Sequence, residues 1–265
     1  MKIEPNNIYL GDCLEIMKHI PSKSIDMILC DLPYGITAYK WDTVIPFEPL
    51  WEQYERVIKD NGAIVLFGSE PFSSALRMSN IKEYKYDWIW DKVVAGGGLL
   101  ANKQPLRQHE NIMIFYKKQP TYNKQMTEPT NPNFFNTTGK NSKFGKIYSS
   151  GGLAKCYKTQ SKRGSETKKN PTTIIAVNKF QQECNSANRL HPTQKPVALC
   201  EYLIKTYTNE GETVLDNCMG SGSTIVACIN TNRKYIGIEK ELKYFEIAKK
   251  RIESVTAVQM ELKGV

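Results

Sequence analysis

No stretch of this chain approaches the roughly 20 consecutive apolar residues that cross a bilayer, so no membrane span is expected. Residues 1–7, Met1-Lys2-Ile3-Glu4-Pro5-Asn6-Asn7, also lack the apolar centre of a secretory signal. The seven cysteines (Cys13, Cys30, Cys156, Cys184, Cys200, Cys218 and Cys228) are odd in number and show no CxxC spacing. Neither a disulfide framework nor a structural metal site is therefore expected. Several lie in apolar runs, where a reduced cysteine acts as a small hydrophobe, and a cytoplasmic setting follows as the expectation. The dinucleotide fingerprint GxGxxG is missing as well: the glycine-rich turn that could carry it reads Gly220-Ser221-Gly222-Ser223-Thr224-Ile225. Acidic residues are nearly lacking from one segment. Residues 117–190 hold 14 Lys and Arg against 3 Glu and no Asp, a net charge of +11, while the remainder carries −2. The +9 of the whole chain thus belongs to one segment, as a polyanion-binding surface requires, although a solvated loop would show the same excess.

What is present is an α/β pattern. A chain of 265 residues, 40% of them hydrophobic, can bury a sizeable core. Strands are expected at 8–10, 25–30, 63–67, 84–90, 111–116, 213–216 and 235–239, and helices at 13–20, 47–60, 71–79, 197–207, 224–229 and 242–255. Alternation of this kind implies a largely parallel sheet covered on both faces. Between 117 and 190 periodicity collapses into Asn, Thr, Ser, Lys and Gly with interleaved aromatics, read as an irregular insertion.

Two constellations carry chemistry. Asp31-Leu32-Pro33-Tyr34 follows the apolar run 25–30 and forms a rigid cup at a strand's carboxyl end. The Asp and a backbone carbonyl can accept hydrogen bonds from an exocyclic amine, and the Tyr ring can stack on a planar base. Downstream, Asp216-Asn217-Cys218-Met219-Gly220-Ser221-Gly222-Ser223-Thr224 is a strand end, a glycine turn and a helix start, where free N–H groups meet a ligand. Glu239 ends the next strand, placed to hold ribose hydroxyls. A ligand with an adenosine and a charged amino-acid tail fits this turn better than a pyrophosphate. Trp88 and Trp90 alternate on a strand and are read as sheet packing, and Trp41-Asp42 as either a closing or a tethering element of the loop after the cup.

These residues resemble the DNA amino-methyltransferases. Asp31-Leu32-Pro33-Tyr34 is similar to their Asp-Pro-Pro-Tyr catalytic motif, and residues 216–224 to their S-adenosyl-L-methionine motif. His191-Pro192-Thr193-Gln194-Lys195-Pro196 resembles the HPTxKP motif of the circularly permuted beta group, in which the catalytic motif precedes the cofactor motif. Gly11-Asp12-Cys13 and His109-Glu110 recur in that group too. The resemblance implies a Rossmann-like methyltransferase fold, with a seven-stranded sheet in the order 3-2-1-4-5-7-6 and its seventh strand antiparallel. It implies a catalytic half at 1–118, a target-recognition insertion at 119–190 and a cofactor half at 191–265. Asp31, the carbonyl of Leu32, Pro33 and Tyr34 would hold a flipped base. Asp12 and Cys13 would contact the cofactor's adenine, Glu239 its ribose, Lys195 its carboxylate and Asp216 its ammonium. Asp31, Cys218, Gly220, Ser221, Gly222, Ser223, Thr224 and Lys240 would complete that site. The implied activity is methylation of adenine N6 in double-stranded DNA, since an acidic first motif residue usually accompanies adenine in the family; cytosine N4, or a silent DNA-binding relative, are the alternatives. A homodimer and a cognate restriction nuclease are further partners the resemblance allows. This chain departs from the pattern at Leu32 and at Asn217-Cys218-Met219, where the family has Pro and Pro-Phe-x.

Overall fold

The computed structural model describes residues 1–37, 39, 42–127, 168–178, 190 and 194–263. In it the apolar runs join one eight-stranded sheet. In chain order the strands are β1 (Asn7–Leu10), β2 (Ile25–Cys30), β3 (Ile58–Gly68), β4 (Tyr84–Gly96), β5 (Arg107–Phe115), β6 (Ile174–Ala176), β7 (Thr213–Asp216) and β8 (Lys234–Glu239). The helices are α1 (Cys13–Met17), α2 (Phe47–Val57), α3 (Phe72–Ser79), α4 (Val197–Tyr207), α5 (Ser223–Asn230) and α6 (Leu242–Lys263). The strands lie in the order β1-β8-β7-β2-β3-β5-β4-β6, and β5 alone runs antiparallel to its two neighbours. This is the expected seven-strand order with β6 added beside β4.

The alternation along β2 explains the layers. Met27 and Leu29 face one side with Leu199, Leu203 and Tyr207 of α4; Ile28 and Cys30 face the other with Leu50 and Tyr54 of α2. A parallel strand buried on both faces is apolar in its buried part, and Asp26, paired with Lys59 near the start of β2, is its one polar residue, which is why 25–30 stands out in the sequence. Trp88 and Trp90 are 4% and 3% exposed. Their indole N–H groups donate to the Tyr207 hydroxyl and the Val177 carbonyl, so both are packing residues, as expected.

Several spans differ from expectation: β3 starts at Ile58, inside the helix expected to run to 60, β5 starts at Arg107 and not 111, and α1 ends at Met17 and not 20. β6 is hidden within the polar stretch, because three residues carry too little pattern to read. α6 runs on to Lys263, since nothing before Gly264 stops it. β4 extends to Gly96 through an irregularity: Asp91 pairs with His109, and the next pair is Gly96 with Arg107. Within that bulge Val93 has φ 64°, a left-handed conformation costing about 1–3 kcal/mol for a β-branched residue. Its N–H donates to Asp91 Oδ1 at 2.8 Å, which offsets part of that strain.

Met1–Asn123 and Thr173–Val265 form one compact unit containing the whole sheet; Lys124–Thr172 forms a second. Of the second, residues 124–127 and 168–172 are described, with Thr127 and Lys169 paired in an antiparallel bridge. The expectations for His191, Pro192, Thr193 and Trp41 lie outside the described residues. Among the described residues no helix is long and apolar enough to cross a membrane, and no cluster of His, Cys, Asp or Glu could hold a metal ion.

Candidate active site

β2 and β7 are neighbours in the sheet, so Asp31, just beyond β2, and Asp216, the last residue of β7, come to one crevice although 185 positions separate them. Such a crevice at the carboxyl ends of strands is where open α/β sheets bind ligands. Here it is a cavity of about 590 Å³. Asp12, Cys13, Asp31, Leu32, Pro33, Tyr34, Lys195, Asp216, Cys218, Gly220, Ser221, Ser223, Thr224, Glu239 and Lys240 all line it. Gly222 does not.

At one end, charges are threaded through the wall. Tyr34 Oη donates to Asp31 Oδ1 at 2.6 Å, and Lys195 Nζ donates to Asp31 Oδ2 at 2.5 Å. Lys195 Nζ also lies 3.3 Å from Glu110 Oε2, and Lys92 Nζ 3.3 Å from Glu110 Oε1. Burial pushes the Asp31 carboxyl above its ordinary pKa; the Lys195 ammonium opposes this and Glu110 adds to it. Burial also lifts Glu110, but Lys195 and Lys92 together hold it below the usual carboxylate range. For Lys195, burial acts to lower the pKa and is outweighed by Asp31 and Glu110, so the ammonium is kept. The Tyr34 ring stacks on Phe72 with centroids 4.9 Å apart. Leu32 is 3% exposed and packs in the core, so the residue replacing the family's Pro has a packing role of its own. Asp42 settles the open question about its loop. Its carboxylate accepts N–H bonds from Gly35, Ile36 and Thr37 at 2.7–3.0 Å, which makes it a tether.

The other end is built from turns. Glu239 accepts from the Gly220 N–H through Oε2 and from the Glu241 N–H through Oε1, both at 2.8 Å. Each oxygen keeps a lone pair for a further donor. Asp12 caps α1, accepting from Leu14 N–H at 2.9 Å, and sits 3.7 Å from Lys240 Nζ. Asp216 is 3% exposed, and burial pushes its pKa to about 7 against opposing bonds from Thr224 and the Cys218 N–H. Asn217, in the family's Pro position, is tied to the core through Tyr54 Oη, which donates to Asn217 Oδ1 at 2.6 Å. Gly222 serves conformation: its φ is 79°, and a Cβ there would sit 3.2 Å from Ala248 Cβ on α6.

The two ends differ in chemistry as the two ends of a transfer reaction should. Turn N–H groups and a strand-end carboxylate suit an adenosine, a buried Asp suits an ammonium, and the Asp31 cup suits an amine. Residues 25–250 match the DNA methylase family of N6 and N4 amino-methyltransferases. The chain belongs to that family. The methylase is 27% identical to the type II methyltransferase M.HpaI of Haemophilus parainfluenzae, over 92% of this chain and 73% of that protein. It is also 27% identical to the DNA adenine methyltransferase YhdJ of Escherichia coli K12, over 94% of this chain and 83% of that one. The crystal structure of the M1.HpyAVI–SAM complex superposes with a TM-score of 0.60 at 25% identity, covering 93% of this chain and 98% of that one.

Sequence reasoning does not nominate Lys92, Arg107, Ser69, Phe67 or Trp90 for this site, and all of them line the methylase cavity. Glu110 stands out only as a shared motif residue. Lys92 continues the alternation of Trp88 and Trp90 onto the cavity face, but a lysine after two buried tryptophans reads as the strand leaving the core.

Proposed function

We propose that this methylase transfers a methyl group from S-adenosyl-L-methionine to N6 of an adenine flipped out of double-stranded DNA. The observation that carries the reading is Asp31 facing the glycine turn of residues 220–222 across one cavity. Bound there, S-adenosyl-L-methionine supplies a methyl group on a sulfonium. Glu239 would hold its ribose, Asp12 and Cys13 its adenine and Asp216 its ammonium. Asp31 accepts an N–H bond from the target amine and aims the nitrogen lone pair at the methyl carbon; the carbonyl of Leu32 takes the second N–H. Tyr34 offers its ring to the base on the face opposite Phe72. As the nitrogen–carbon bond forms and the methyl–sulfur bond breaks to leave a thioether, the amine must shed a proton, and a carboxylate raised by burial is a suitable acceptor. The rest is positioning for in-line transfer. Adenine is favoured over cytosine because the motif opens with Asp. Methylation-sensitive long-read sequencing of DNA from cells expressing the protein tests this: N6-methyladenine within one short sequence is expected, and N4-methylcytosine would overturn the base assignment.

The basic segment supports DNA as the substrate. Replacing Lys162 and Arg163 together by Ala should weaken DNA binding and lower the slope of log affinity against log salt by about 1 for each phosphate no longer neutralised, with cofactor affinity unchanged. An unchanged slope would remove those residues from the DNA surface.

Asp216 gives a pH signature. Its pKa of about 7 lies above the ordinary 3.8, so the stability linked to this group is full below about pH 4 and is lost as pH rises through 7. A cation beside it reverses the preference and favours the carboxylate. Cofactor affinity should therefore climb between pH 6 and 8 with proton release, seen by calorimetry in buffers of different ionisation enthalpy. Asp216→Asn should flatten the climb; the same pH dependence in that variant would count against the ammonium contact.

A further inference from the structure

Glu110 Oε2 is a buried carboxylate oxygen that accepts no hydrogen bond, although Lys195 Nζ lies 3.3 Å away. Buried acceptors of this kind are rare and call for a reason. Lys195 gives its short bond to Asp31 instead. That places an ammonium on the carboxylate that, in the reading above, must receive the target amine. Lys92, Glu110, Lys195 and Asp31 form a chain of alternating charge with no net charge, and both lysines are 8% exposed. Ion pairs buried like this contribute little to stability, so their retention asks for another role.

We propose that Glu110 is a positioning residue, the second berth of Lys195: when the target amine donates to Asp31, the Lys195 ammonium transfers its hydrogen bond to Glu110 Oε2. The number of satisfied acceptors then never falls. In the empty site Lys195 bonds Asp31 and leaves Glu110 Oε2 waiting; in the loaded site the amine takes that place on Asp31 and Lys195 bonds Glu110. The berth already lies at the distance at which Lys92 bonds the other Glu110 oxygen, so only the direction of the Lys195 ammonium must change and the backbone need not move. Lys92, on the same face of β4 as Trp90, keeps Glu110 ionised from its far side. No covalent bond changes in this exchange. A lysine bound only to Asp31 would compete with every incoming amine; a lysine with a second partner yields.

The inference rests on Asp31 being the amine's acceptor. The groups facing Asp31 are Tyr34, Lys195, Glu110, Cys30 and Asp216, with Lys92 behind Glu110. The first variant changes Glu110 alone. Glu110→Gln keeps the shape but offers Lys195 a neutral, weaker acceptor. Methyl transfer from labelled S-adenosyl-L-methionine to unmodified genomic DNA should show kcat/KM for DNA lowered by about 10- to 100-fold, cofactor affinity unchanged, and the acid limb moved to lower pH, because Glu110 no longer raises Asp31. In a Lys195→Met background, where no ammonium needs a berth, adding Glu110→Gln should cause no further loss. A wild-type rate for Glu110→Gln, a fixed acid limb, or losses that multiply in the double variant would overturn the inference. Asp31→Ala separates the two claims. If it is active the acceptor reading itself fails; if it is inactive while Glu110→Gln is normal, only the second berth fails.

Discussion

Asp31→Ala is expected to lower the methylation rate by about 10²–10³-fold, the usual loss when one preorganised group at the reacting centre is removed. Cofactor affinity, measured by calorimetry, should stay as in the wild type. The separation follows from geometry. Asp31 ends β2, and its partners are Tyr34 and Lys195, whereas the turn of residues 216–222 is held by Glu239 and by Tyr54 through Asn217. The variant should still fold, because Lys195 keeps Glu110 as an ion partner and is not left as an uncompensated charge. Product at the wild-type rate would sink the assignment of Asp31. Loss of cofactor binding together with rate would instead mean that Asp31 belongs to both ends of the cavity.

Gly222→Val is expected to be the most damaging change at the cofactor end, abolishing measurable cofactor binding and lowering stability by about 2–6 kcal/mol. The figure joins about 1–3 kcal/mol for a β-branched residue in the left-handed region with about 1–3 kcal/mol for overpacking. Gly222 has φ 79°, and its would-be Cβ meets Ala248 Cβ at 3.2 Å, so the strain cannot be relieved without shifting α5 against α6. Ser221 and Ser223 line the cavity on either side and would move with it. Thermal denaturation and calorimetry on the purified variant check both halves. An unaltered melting temperature would show that the turn has another conformation open to it.

How much of the fold and site is legible in the sequence depends on what each residue answers to. Strands β2 and β7 can be read to the residue, because burial on both faces makes their centres apolar, residues 27–30 and 214–215, and turn residues then end them. Asp31 and Glu239 are legible for the same reason: a carboxylate directly after such a run lies at the open end of the sheet. Gly222 reads as a ligand contact, but its requirement is for backbone conformation against α6, a demand made by residues 26 positions away. Lys195 reads as a contact of the cofactor tail. Its bonds to Asp31 and Glu110 depend on three separate segments meeting, and one segment's pattern cannot report that. Lys92 and β6 escape for a related reason: one depends on meeting Glu110 of the neighbouring strand, the other on three residues of edge pairing.

The strand order has a consequence for how such a protein can change. β7 and β8, from the end of the chain, lie between β1 and β2 from its beginning. The excursion that joins the two halves leaves and returns at fastened points. Asn123 donates through its side chain to the carbonyls of Lys205 and Thr208 at the end of α4, while the Thr173 carbonyl accepts from the Ile89 N–H on β4. All eight strands of the sheet lie outside residues 124–172, so a change of length within that span should leave every ladder pair from β1 to β8 in register.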